Sequence, residues 1–150
     1  MTASFGSDMY FTRIIDERFP DFESVIPKDN DKELTVDKSL LLSAVRRVSI
    51  FSNRSTHQIA IRLTKERIQI TTEDPEKSSK AQEEIKGEFN GDDLVIGYNA
   101  SYLKDILSHV EGDQVVIKLK TPISAALFNP ATQNEKSNLT KLLMPIRLND

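Results

Sequence analysis

Residues 34–48 read Leu-Thr-Val-Asp-Lys-Ser-Leu-Leu-Leu-Ser-Ala-Val-Arg-Arg-Val, and this stretch decides the fold. Its first three residues predict a short strand. Asp37 can cap a helix that follows, because its carboxylate can accept a hydrogen bond from a free amide of the first turn. The apolar positions after the cap recur at the i, i+3, i+4, i+7 spacing of one helix face: Leu41, Ala44, Val45 and Val48.

Three further segments with alternating apolar and polar residues follow the helix, at residues 58–63, 68–70 and 85–89. Such alternation predicts strands with one buried and one exposed face. Strands that follow one another through short turns pair antiparallel. This part of the chain therefore predicts a β-α-β-β-β unit.

The same order of elements recurs from residue 93 onward. Residues 94–96 predict a strand, Asn99 a helix cap, and residues 114–119, 123–128 and 139–146 three more strands. The second helix has its own apolar face, formed by Leu103, Ile106, Leu107 and Val110. We therefore expect two β-α-β-β-β repeats in an α+β fold, with antiparallel sheets side by side and both helices on one face.

The last apolar run, residues 139–148, contains a proline that limits strand pairing. Pro145 has no amide hydrogen, so the run can pair as far as Met144 and then ends on a sheet edge. An apolar segment so near a C-terminus normally frays. We expect it to be docked on the domain or to serve as a docking surface itself.

The N-terminal residues predict a separate piece of structure. Residues 2–5 and 9–16 predict a hairpin around the turn Gly6-Ser7-Asp8. Residues 18–31 contain two prolines and predict a linker, which carries the apolar side chains Phe19, Phe22, Val25 and Ile26. We expect a domain boundary here, with the main domain over residues 32–150.

Composition and charge exclude several classes of protein. The chain has no cysteine, so it forms neither disulfides nor thiolate metal sites. No run approaches the roughly 18 apolar residues of a membrane span, and the first residues lack the blocks of a signal peptide, so we expect a cytoplasmic protein without membrane association. The net charge of −3 argues against nucleic-acid binding through a wide basic surface.

Catalytic motifs are also missing from the sequence. His57 and His109 have no second ligand at metal-binding spacing, and the chain contains neither a glycine-rich phosphate loop nor a nucleophile elbow. We expect no enzyme activity, no cofactor and no metal ion.

Several ordered segments resemble a known family. The duplicated unit, the linker segment Arg18-Phe19-Pro20-Asp21-Phe22, and residues 46–53, 96–103 and 144–148 together resemble the bacterial sliding clamp, the beta subunit of DNA polymerase III. The resemblance covers essentially the whole chain. It implies that residues 1–17 are the last hairpin of a preceding middle domain, residues 18–31 an interdomain linker, and residues 32–150 the C-terminal domain.

The resemblance also implies partners. In the family, two subunits form a homodimeric ring around duplex DNA, without reading its sequence, and hold the polymerase on its template. A linear motif of the replicative polymerase, the clamp loader and repair proteins inserts apolar side chains into a groove of the clamp. The matching positions here are Pro20, Val25, Tyr102, Ile123, Ala125, Leu142, Leu143, Met144, Pro145, Ile146 and Arg147.

Two further surfaces are implied by the same resemblance. Arg46, Arg47 and Lys104 lie on the polar helix faces that would line the hole and meet phosphates. Ile50 and Phe51 follow the first helix, where the domain would meet the other subunit. Simpler interpretations remain open: a solvated helix face, a local cap over the core, and an edge strand that only completes a core. A stand-alone α+β scaffold or small-ligand-binding domain without a DNA role is the alternative function.

Overall fold

The architecture was analysed in a computed structural model that describes residues 1–133 and 139–148. Two helices and eleven strands follow one another along these residues. The order is β1 (Thr2–Phe5), β2 (Asp8–Phe11), β3 (Lys32–Asp37), α1 (Lys38–Ser49), β4 (Gln58–Leu63), β5 (Arg67–Asp74), β6 (Ser79–Lys86), β7 (Glu88–Phe89), β8 (Leu94–Asn99), α2 (Ala100–Ser108), β9 (Gln114–Leu119), β10 (Ala126–Pro130) and β11 (Lys141–Leu143). Short 3-10 helices span Phe22–Val25 and Pro75–Lys77.

The main domain contains two antiparallel sheets, and each repeat contributes to both. The five-stranded sheet has the order β11-β10-β9-β3-β7, and the four-stranded sheet has the order β6-β5-β4-β8. The first strand of each repeat therefore lies in the sheet of the other repeat. The α+β class and the β-α-β-β-β repeats are as expected. The expected arrangement had one sheet for each repeat, and the exchange of first strands differs from it.

Matching contacts in the two repeats show that the exchange is symmetric. The backbone amide of Lys38, at the start of α1, donates to the carbonyl of Asp113 just before β9, over 2.8 Å. The amide of Ala100, at the start of α2, donates to the carbonyl of His57 just before β4, also over 2.8 Å. Each helix therefore begins where its own repeat's first strand pairs with a strand of the other repeat.

The helices lie side by side and antiparallel. Lys38 at the start of α1 donates from Nζ to the carbonyl of Val110 beyond the end of α2, over 3.0 Å. Lys104 in α2 donates from Nζ to Oγ of Ser49, the last residue of α1, over 3.3 Å. The buried positions include both predicted apolar faces, although Ile106 is only partly buried and Val110 lies beyond the end of α2: Leu41, Ala44, Val45, Val48, Leu103, Leu107 and Val110.

One predicted strand is divided in the structure, because the chain changes sheets within it. The predicted strand at residues 85–89 is in fact the end of β6 and the separate strand β7. Between them lies Gly87, where a β-carbon would come within 2.5 Å of Cδ1 of Ile68. The close packing of the chain on Ile68 at this point favours glycine, and here the chain leaves the four-stranded sheet to pair with β3.

The N-terminal hairpin is set apart from the sheets of the main domain. β1 and β2 pair only with each other among the strands that the structure describes, and all their residues are exposed. The second strand begins at Asp8 and ends at Phe11, so it is shorter than predicted. Over the described ranges, no helix is long and apolar enough to cross a bilayer.

Candidate functional site

The C-terminal segment connects the edges of the two sheets. β11 pairs with β10 at the edge of the five-stranded sheet, and the pairing ends at the Ala126–Leu143 pair. The predicted strand at residues 139–146 is therefore too long, because Pro145 cannot donate to the ladder and Met144 already lies outside it. Ile146 instead forms an antiparallel bridge with Gly97 on β8, the edge of the four-stranded sheet.

The side chains of this segment differ widely in burial. Leu143 belongs to the hydrophobic core, whereas Met144 is 59% exposed. Leu142, Pro145 and Ile146 are partly buried, and Arg147 is exposed. The segment is therefore attached to the two sheets at Leu143 and at Ile146. The exposed side chain of Met144 lies between these attachments, and the exposed Arg147 follows the second one.

Ile123 lies in a turn, which corrects its predicted place on a strand. Pro122 follows Thr121, and the Thr121 hydroxyl accepts hydrogen bonds from the amides of Ile123 and Ser124, over 3.4 and 3.1 Å. A threonine hydroxyl and a proline both favour a turn over a strand here. Ile123 is therefore exposed at the turn, and Ala125 is buried immediately before β10.

Asn30 fixes the linker to this turn, a role that could not be predicted from the sequence. Its Nδ2 donates to the carbonyl of Lys118, over 3.0 Å, and to the carbonyl of Ala125, over 3.1 Å. Lys120 also hydrogen-bonds the carboxylate of Asp29, which lowers the pKa of Asp29. The end of the linker is therefore held beside Ala125. An asparagine in a polar linker shows no sequence pattern that would predict contacts with two residues so distant in the chain.

Tyr102 stands in the first turn of α2, which packs beside β11. The side chain of Asn99 caps this turn, because its Oδ1 accepts from the amides of Ser101 and Tyr102, over 2.9 and 3.3 Å. The capped turn leaves the Tyr102 side chain exposed. The structure thus brings the helix that carries Tyr102, the turn with Ile123 and the C-terminal segment to one side of the domain.

Pro20 and Val25 belong to the linker and are exposed. Val25 ends the short 3-10 helix Phe22–Val25, five residues before the anchored Asn30. Phe19 and Phe22 pack edge to face in the same segment, with ring centroids 6.2 Å apart. The linker therefore carries its own exposed apolar cluster next to its attachment point.

The predicted DNA-facing residues have different surroundings. Arg46 and Arg47 are exposed near the end of α1, but Arg47 donates from Nε and Nη2 to both carboxylate oxygens of Glu83 on β6. These hydrogen bonds lower the pKa of Glu83. Lys104 is partly buried against Ser49. The pairing of Arg47 with Glu83 could not be predicted from the sequence, because the two residues are 36 positions apart.

Ile50 and Phe51 follow α1 and remain exposed. The carbonyl of Phe51 accepts a hydrogen bond from the hydroxyl of Ser79, over 3.2 Å. Ser79 is the first residue of β6, which forms a sheet edge. The two apolar side chains therefore lie next to a strand with a free edge.

Comparison with known proteins gives a consistent result. The profile of the family described as DNA polymerase III beta subunit, C-terminal domain, matches residues 23–147. The beta sliding clamp of Pseudomonas aeruginosa is 34% identical over 146 residues, which cover 97% of this chain and 39% of that protein. The beta sliding clamp of Caulobacter vibrioides is 33% identical, over 96% of this chain and 38% of that protein.

Solved structures of these clamps share the fold. The DNA polymerase III subunit beta of Pseudomonas aeruginosa superposes with a TM-score of 0.87 at 34% identity, over 98% of this chain and 39% of that chain. A sliding clamp from Bartonella birtlesii bound to griselimycin gives a TM-score of 0.87 at 28% identity, over 98% of this chain and 38% of that chain.

The exchanged antiparallel sheets, the two helices and the docked apolar tail define a domain of the DNA-clamp class. The chain belongs to the DNA polymerase III beta subunit family, within which it matches the C-terminal domain. It spans 39% of the length of its Pseudomonas relative.

Proposed function

We propose that this chain works as the C-terminal domain of a replication processivity clamp and binds partner proteins through the surface around its C-terminal segment. The observation that carries the proposal is that Met144, Tyr102 and Ile123 have exposed apolar side chains, while Leu143, next to Met144, belongs to the core. A surface of this kind on a folded domain marks a binding site. The domain itself is not an enzyme.

The binding mechanism is apolar anchoring of a linear motif. Each well-buried Leu or Phe of such a motif contributes about 1.5 to 3 kcal/mol when it leaves water. The family places Pro20, Val25, Tyr102, Ile123 and Ala125 with residues 142–147 around the motif. Support comes from Asn30, which ties the linker to Ala125, and from α2, which packs beside β11. Polymerase, clamp loader and repair proteins are the proposed partners.

The ring and its DNA are part of the same proposal. The intact protein is a cytoplasmic homodimer that encircles duplex DNA, and Arg46 and Lys104 are the helix cations that face the phosphates. Arg47 contributes less, because Glu83 already engages its guanidinium. Weak, sequence-independent attraction suits a ring that slides. Ile50 and Phe51, with the adjacent free edge of β6, are the proposed subunit contact.

The test is a backbone amide NMR titration of this chain with a short peptide of the Gln-Leu-x-Leu-Phe type. We expect shifts to cluster at Tyr102, Ile123 and residues 142–147. Met144→Asp should abolish binding and preserve the fold, because it places a charge in an apolar contact while the native side chain is 59% exposed.

Met9→Asp is the matched control. Met9 is 62% exposed in the N-terminal hairpin, so the same substitution at similar exposure should leave peptide affinity unchanged. Equal affinity of the Met144→Asp variant and the unmodified chain would contradict the proposed site. If the peptide causes no shifts at millimolar concentration, either here or in a chain that includes the preceding domain, the alternative of an α+β scaffold without this role is favoured.

A further inference from the structure

Gly97 is buried although it lies on an edge strand. β8 forms the edge of the four-stranded sheet, and its residues Val95 and Asn99 on either side of Gly97 are only partly buried. The residues that cover Gly97 belong to the C-terminal segment. The carbonyl of Gly97 accepts a hydrogen bond from the amide of Ile146, over 2.9 Å, and the side chain of Leu148 lies over Gly97.

The approach of the chain end leaves no room for a side chain at position 97. A β-carbon there would lie 2.6 Å from the carbonyl oxygen of Ile146 and 2.7 Å from Cδ2 of Leu148. Carbon atoms in favourable contact are about 3.5 to 4.0 Å apart. Leu148 could adjust its rotamer, but the Ile146 oxygen belongs to the backbone and could move only with the whole segment.

The first repeat shows that a pairing of this kind can form without glycine. There β7 returns to β3 in the equivalent way, and Thr35 is paired with Glu88 as Gly97 is paired with Ile146. Thr35 carries a β-branched side chain and keeps its pairing. Glycine at position 97 is therefore needed for the closer path of the chain end, with Leu148 folded over the strand.

We propose that Gly97 and Leu148 form a latch that positions residues 144–147 for partner binding. The upstream end of this segment is fixed by the pairing of Leu143 with Ala126, and the latch fixes its downstream end. Met144 and Pro145 lie between the two attachments, so their direction depends on both. Gly97 is a positioning residue, since it acts through the segment that covers it. This inference rests on the proposed peptide-binding function.

The test is Gly97→Ala, read by two measurements. Hydrogen exchange at the Ile146 amide should become faster by at least about tenfold, because the bridge to the Gly97 carbonyl is lost. Affinity for the Gln-Leu-x-Leu-Phe peptide should fall by about tenfold or more, while the amide shifts of β5, β6 and α1, which do not pair with β8, stay those of the unmodified chain. Gln69→Ala, on β5 of the same sheet, is the control and should change neither measurement.

Leu148→Ala provides a second, independent variant. It removes the other half of the latch without altering β8, so it should also speed exchange at Ile146 and weaken the peptide. In the Gly97→Ala background it should add little, since two changes to one contact are not additive. Unchanged Ile146 exchange in both single variants would overturn the latch, and so would unchanged peptide affinity.

The two proposals can fail separately. If the unmodified chain binds the peptide and Gly97→Ala binds it equally well, the latch is wrong and the binding function stands. If the unmodified chain does not bind, the proposed function falls and so does the positioning role. Exchange at Ile146 then measures only how the chain end is docked.

Discussion

At the scale of single residues, the buried hydroxyl of Tyr98 is a cost to the stability of the core. The side chain is 2% exposed and packs edge to face on Phe128, with ring centroids 6.4 Å apart. Its hydroxyl has no hydrogen-bond partner among the residues that the structure describes. A buried polar group without a partner costs about 1 to 3 kcal/mol.

We predict that Tyr98→Phe raises the free energy of unfolding by about 1 kcal/mol near neutral pH, because it removes this unpaired hydroxyl and keeps the ring. Urea denaturation of both proteins measures the difference. Phe128→Leu is a useful control, since it removes the aromatic partner and should destabilise. A marked loss of stability in Tyr98→Phe would show that the hydroxyl has a favourable contact.

The same residue predicts an alkaline limit to stability. Burial raises the pKa of Tyr98 in the folded state. The unfolded chain ionises its tyrosines near pH 10, whereas the folded chain keeps Tyr98 neutral above that pH. The free energy of unfolding therefore does not depend on the ionisation of Tyr98 below about pH 10, and it falls as the pH rises above that value. Stability should therefore fall less steeply above about pH 10 in Tyr98→Phe than in the unmodified chain. Parallel pH profiles would contradict this assignment.

At the scale of elements, each helix is set in place by the residue before it. Asp37 accepts from the amide of Leu40, over 2.8 Å, and Asn99 caps α2 in the same way, so both caps predicted from sequence are confirmed. Asn99 has a second role, since its Nδ2 donates to the carbonyl of Thr56, over 3.1 Å. It thereby joins the start of α2 to the loop before β4.

We predict that Asn99→Ala destabilises the domain by about 1 kcal/mol or slightly more, because both the cap and the link to Thr56 are lost. Asn99→Ser should recover much of this loss, since its hydroxyl can still cap the helix but cannot reach as a donor in the same way. Urea denaturation of the three proteins gives the order. If alanine and serine are equally destabilising, the cap is not the contact that matters.

At the scale of the whole molecule, an exposed hairpin precedes the two packed sheets. Phe5, Phe11 and Ile15 are exposed near the N-terminus, although such residues are normally covered. We propose, as the resemblance implies, that residues 1–17 complete a sheet of the preceding domain. Residues 18–31 would then be the linker and residues 32–150 the C-terminal domain, of which residues 134–138 and 149–150 lie outside the described part.

We predict that removal of residues 1–17 changes the free energy of unfolding of the remaining chain by less than about 0.5 kcal/mol, because the hairpin strands pair only with each other among the described strands. Removal of residues 1–31 should destabilise it, since Asn30 and its two hydrogen bonds are lost. Urea denaturation of the three chains tests the boundary. A large loss on removal of the hairpin alone would place it within the domain.

The local sequence was sufficient for both helices and for the presence of most strands, but not for the division between β6 and β7 or for the turn at Ile123. The burial of Leu41, Val45, Leu103 and Leu107 follows from periodicity, which depends only on which side of a helix meets the core. The proline in the last strand predicted an edge position, and β11 is at an edge. Exposure of Met144 and Tyr102 agrees with a surface role, but their part in partner binding remains a prediction.

The tertiary structure alone decided which elements pair and which side chains meet. Alternation in a strand shows its buried face but not its neighbour, so the exchange of β3 and β8 between repeats could not be read from the sequence. The contacts of Asn30 with Ala125, of Arg47 with Glu83 and of Gly97 with Ile146 join residues far apart in the chain. Such contacts depend on the packed fold, because no local pattern specifies the partner of a polar side chain or the path of a chain end.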